Sequence, residues 1–186
     1  MLGLGLACSY APAMFRDAAQ WPKLHAWLTE GAPQPPQLAD ETPEVIQQYV
    51  ARIAAGFAAL RQRLEEYRPD ALVMLASDTG RVFTGVQVPQ LATFLGEEIW
   101  GSTQLAELGE VAEDDIVRLR CATTVAAFTH QELVERGFDL NYSKVLRPLG
   151  QPEYGTSVGF VAPARRLMPK LDTPVVPVYE IGRAHV

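Results

Sequence analysis

One stretch, from Pro43 to Tyr67, constrains the fold more than any other. Ile46, Val50, Ile53, Phe57, Leu60, Leu64 and Tyr67 recur at spacings of four and three. That spacing places them on one stripe of a helix about seven turns long. Thr42 stands as N-cap, Pro43 takes the first helical position, Glu44 lies in the first turn, and Pro69 forces a stop. A long one-sided helix needs a surface to cover. A coiled-coil partner would serve, but a sheet is the simpler solution, because residues 70–78 (DALVMLASD) follow at once. They read as a buried strand, too continuously apolar to have one wet face.

The flanking sequence extends the pattern. Residues 2–8 (LGLGLAC) read as a short buried strand and 22–29 as a short helix with Pro22 in its first turn. Residues 30–42 are proline-rich and read as a loop. A second long helix is expected over 113–136, with acidic residues in its first turn and Gly137 just past its end. TPVVPVY at 173–179 reads as another buried strand. The order strand, helix, strand, helix, strand implies an α/β fold with a largely parallel central sheet flanked by helices.

Composition removes several function classes. The chain has 186 residues, of which 48% are hydrophobic, and carries a net charge of −6 without runs of Lys or Arg. That balance argues against nucleic acid and anionic membrane surfaces as partners. No apolar run reaches the roughly 18 residues of a bilayer span, and the first residues have no basic region of the kind that opens a leader. Cys8 and Cys121 fit a reducing compartment as free thiols, so a cytoplasmic location is expected. The last six residues, IGRAHV, read as a translated sequencing adapter. On that reading native sequence occupies 1–179, residues 180–186 are an adapter-derived tail, His185 is not part of the native protein, and a C-terminal part of the fold is missing.

Several short segments, taken in order, carry a resemblance. They are Cys8-Ser9-Tyr10-Ala11-Pro12 after the first strand and Arg68-Pro69-Asp70 before the second. Ser77-Asp78-Thr79 follows that strand, then an F…P segment at 83–89. Gly137-Phe138-Asp139 comes after a helix, then Glu153-Tyr154-Gly155-Thr156-Ser157, and finally Val176-Pro177-Val178. Across nearly all of 3–179 this order resembles the N-terminal part of the LigB-type (class III) extradiol ring-cleavage dioxygenases. The resemblance implies a single LigB-like domain with an α/β sandwich, and an enzyme that uses Fe(II) and O₂ to open catechol-type rings.

Such chemistry asks for two imidazoles and a carboxylate on one face of the iron, with a further histidine as acid and base. Carried over position by position, the two imidazole positions fall on Tyr10 and Thr79, and the acid/base position falls on Tyr154. None is histidine. A threonine hydroxyl is a poor ligand for a divalent metal, tyrosinate suits ferric iron, and a phenol near pKa 10 is a weak base at neutral pH. The resemblance therefore implies a degenerate site that does not retain Fe(II). Two roles stay open: a divergent dioxygenase, or a non-catalytic relative. The latter would be a structural subunit of a hetero-oligomer with an intact dioxygenase, a homo-oligomer, or a binder of a small aromatic ligand.

The remaining polar residues each carry two readings. His25 is a candidate surrogate ligand or a helix histidine packed beside Trp21 or Trp27. His130 falls in register with Ile116, Leu119, Thr123, Ala126 and Leu133 and is expected as a satisfied helix-face histidine. Asp78, at the end of a buried strand, is either a pocket residue or the cap of the next turn. Glu153 is a pocket carboxylate or an exposed turn residue, and Arg165-Arg166 an anion site or a solvated pair. Gly3 and Gly5 precede no phosphate loop. No Ser-His-Asp set or zinc-spaced Cys/His cluster is present.

Overall fold

The structure is a computed structural model and describes residues 3–84 and 89–181. The 83–89 segment is thus only partly described, and His185 lies outside the described residues.

The long helix forms as its sequence dictates. It spans Pro43–Tyr67 (α2); the Thr42 hydroxyl accepts a hydrogen bond from the Val45 amide, and Arg68 turns left-handed at φ 49° to end it. Phe57 and Leu64 are buried from its stripe, and Ile53 and Leu60 pack against the same core. Before it comes α1 (Trp21–Leu28). Later come α3 (Thr123–Glu135) and α4 (Val158–Leu167).

The strands are β1 (Leu72–Ser77), β2 (Leu91–Phe94), β3 (Glu98–Ser102), β4 (Ile116–Arg120), β5 (Leu140–Ser143) and β6 (Val175–Glu180). Four of them form a sheet in the order β1-β6-β2-β5, and β3-β4 form a separate hairpin. β1 runs parallel to β6 and β2 parallel to β5, whereas β2 and β6 are antiparallel. The fold is therefore α/β with a mostly parallel sheet, with one reversal at its centre. Pro177 helps to set that reversal's length. The carbonyls of Pro174 and Glu180 accept from β1, so β6 turns its odd-numbered residues to β2. A proline there has no N–H to give, and the β2 pairing stops at Val178.

Alternation along β6 divides the interior. Val176 and Val178 join Ala126 under α3 on one face. Val175 and Tyr179 join Phe160, Val161 and Ala164 of α4 on the other, where the main core lies. Phe160 and Val161 are fully enclosed, and burying a side chain of that kind contributes about 1.5–3 kcal/mol. α4 packs on β1, β3 and β4, and α2 packs over α4.

Three expectations are corrected. Residues 3–8 form no strand. Leu6 packs on the core instead, and the alternating glycines weaken any pairing. The helix expected over 113–136 splits into β4 and α3. Ile116 to Arg120 alternates exposed and buried with period two, a strand pattern of branched and long residues in which Ile116 and Leu119 also matched the helical register. Gly137, at φ 88°, still ends α3: its amide bonds to Val134 and that of Phe138 to Leu133, a Schellman closure. β1 is not buried on both faces. It is an edge strand, and Val73 and Leu75 are 43% and 68% exposed, because α3 covers β6, β2 and β5 but not β1. The sheet is mostly parallel, as the element order implied, with β2 parallel to β5 and antiparallel to β6. The short strands β2 and β5 carried no periodic signal long enough to read.

Of the last seven residues, Glu180 closes β6 and Ile181 is buried, its amide bonded to the Gln90 carbonyl.

Candidate functional site

The carboxyl ends of parallel strands are where α/β sheets place their sites, and here β1 and β6 end side by side, Ser77 opposite Glu180. Two loops close over that end: the 78–84 loop that leaves β1, and the 152–157 turn that enters α4. The turn is fixed to the strand by Ser157, whose hydroxyl donates to the Ser77 carbonyl at 2.6 Å and accepts from the Gly159 amide as N-cap of α4.

Asp78 is fully buried at this corner. Its carboxylate accepts from the Phe83 amide at 2.8 Å and from the Val82 amide at 3.2 Å. Of the two roles open to it, capping the following turn is the one its geometry performs. Beside it lies Arg81, 3% exposed. Its guanidinium donates to the carbonyls of Ser102 at 2.8 Å and Gln104 at 3.0 Å, and more distantly to those of Tyr154 and Thr156 at 3.4 Å. Burial lowers its pKa from the usual arginine value, while Glu107, Tyr154 and Asp78 favour the charge. A guanidinium suits this role because its five donors form a fixed fork. Sequence reasoning missed Arg81. A lone arginine in Asp-Thr-Gly-Arg-Val looks like a surface loop residue, and nothing local signals carbonyls arriving from residues 102–104 and 154–156.

Tyr154 is buried in the one-turn helix Pro152–Tyr154. Its hydroxyl donates to the Glu110 carbonyl, and the Arg81 guanidinium sits 5.2 Å from its ring centroid. Burial, with Glu153 and Glu107, pushes its phenol up from the usual value, against the pull of Arg81. A phenol so held is neutral at physiological pH and has its proton committed. Thr79 is exposed in the loop after β1. The Tyr10 ring lies near Gly159 at the start of α4: a Cβ built there would be 3.5 Å from it. Glu153 is exposed.

The other candidates lie on different elements. His25 is half-buried on α1, beside Leu24, which packs with Leu105 and Leu108. The His130 ring stands edge-on to Tyr142 at 5.3 Å, and its Nδ1 is buried without a hydrogen-bond partner among the described residues, so the neighbour satisfies its packing but not its polarity. Arg165 pairs with Asp115. Both cysteines are free thiols, Cys8 exposed and Cys121 buried. Among the described residues no group of three His, Cys, Asp or Glu is placed to hold a metal ion, and no helix is long and apolar enough to cross a membrane.

Two buried acids in the chemical sense, the Tyr179 phenol near this corner and the Cys121 thiol beside Val175 at the other end of β6, set an alkaline limit. Tyr179 is enclosed, shares a 2.6 Å hydrogen bond with Thr156, and has its pKa raised by burial. Burial pushes the Cys121 thiol from about 9 up to about 11. Above pH 9 the unfolded chain sheds the Cys121 proton that the folded chain keeps, so the unfolded state gains. The stabilisation is therefore complete below pH 9 and is lost as pH rises through about 11. Urea denaturation at pH 7.5, 9 and 10.5 is expected to show a falling midpoint only in the last step, and Cys121→Ala should flatten part of that fall. A midpoint that holds steady to pH 10.5 would contradict this.

No family model matches the chain, and no curated protein matches it significantly.

Proposed function

We propose that this chain is a catalytically degenerate relative of the LigB-type extradiol dioxygenases, serving as a structural or ligand-binding partner and not as a ring-cleaving enzyme. The observation that carries this reading is the engagement of Tyr154. At the position where the resemblance asks for an acid/base imidazole, the hydroxyl is spent on the Glu110 carbonyl beneath Arg81. Asp78, the carboxylate nearest in sequence to Thr79, is likewise spent on two backbone amides. The residues present do not fit Fe(II). A neutral phenol and a threonine hydroxyl cannot replace imidazoles, and losing even a residue behind the ligands costs metal sites about 10- to 100-fold in affinity or activity.

Partner chemistry follows from the same reading: an intact dioxygenase subunit, a second copy of this chain, or a small aromatic ligand. The test is anaerobic Fe(II) reconstitution of this chain, followed by metal analysis and oxygen-electrode assays with protocatechuate and gallate. Iron well below one per chain and no catechol-dependent oxygen uptake are expected. One tightly bound iron per chain with such uptake would overturn the proposal.

A further inference from the structure

We draw no further inference here: the strongest candidate, the uncovered apolar face of the edge strand β1 at Val73 and Leu75, carries nothing, because nothing in the structure shows what covers it.

Discussion

Arg81→Met is expected to lower the stability of the fold by about 3–5 kcal/mol, the range seen when one partner of a buried charged network is removed. Methionine matches the length and apolar stem of arginine but donates nothing. The Ser102 and Gln104 carbonyls, at 2.8 and 3.0 Å from the guanidinium, would lose their donors inside the protein. Each unpaired buried group costs about 1–3 kcal/mol. The longer contacts to Tyr154 and Thr156, both 3.4 Å, add less. Asp78 would lose a favourable charge while staying fully buried. Arg81→Lys separates charge from shape: it restores the positive charge without the planar fork, and roughly half of the loss is expected to return. Urea denaturation with both variants measures this. A loss below about 1 kcal/mol for Arg81→Met would mean that water reaches these carbonyls, and that the loops over the strand ends do not depend on this residue.

The second large effect is expected at Gly155. Its backbone sits at φ 70°, ψ −138°, a region that is essentially closed to residues with a Cβ. Space is closed as well. An added Cβ would lie 2.6 Å from Cε3 of Trp100 and 2.8 Å from the Gly101 Cα, and would run into the Trp100 carbonyl oxygen. Gly155 bridges Gly101 there, and the Thr156 amide donates to the Trp100 carbonyl at 2.8 Å, so neither chain can withdraw without breaking the join between the 152–157 turn and β3. Strained backbone alone costs about 1–3 kcal/mol; with the collision, Gly155→Ala should cost about 3 kcal/mol or more. Gly31→Ala is the control. Gly31 also has a positive φ, 72°, but nothing among the described residues lies within 4 Å of its Cβ position, so the strain acts alone and about 1 kcal/mol is expected. Thermal or urea unfolding of the two variants compares them directly. Equal losses would show that the packing against Trp100 gives way at little cost.

Much of the local structure was legible from residue order. The bounds of α2 follow from Thr42, Pro43 and the stripe from Ile46 to Tyr67, with Pro69 behind it. The observed helix has those bounds, because capping, proline geometry and a 3.6-residue period act within a few residues. The strands near 70–78 and 173–179 were legible as apolar runs, and the closure after α3 as a glycine. The 113–136 stretch misled because two patterns overlapped. Ile116 and Leu119 fit a helical stripe, while Ile116-Val117-Arg118-Leu119-Arg120 also alternates. Pairing of β4 with β3 decided between them, and the partner strand is not a local feature.

The candidate site divides in the same way. That Asp78 ends a strand and that Tyr154 stands in a turn was visible in the sequence, as was the lack of histidine at Tyr10, Thr79 and Tyr154. What Asp78 and Tyr154 do was not visible, because their partners come from elsewhere. Asp78 is spent on amides of its own loop only because that loop folds back over the strand end. Tyr154 is spent on Glu110, 44 residues away. Arg81 had no mark in the sequence at all; its burial depends on backbone carbonyls, which every residue possesses and which therefore leave no trace in residue type. The sequence by itself determined which segments become helices and strands wherever the period and the caps agreed. Tertiary structure decided the order and direction of the strands, which face of β1 stays open, and which polar groups are consumed in holding the loops, because those outcomes rest on contacts between segments that share no local signal.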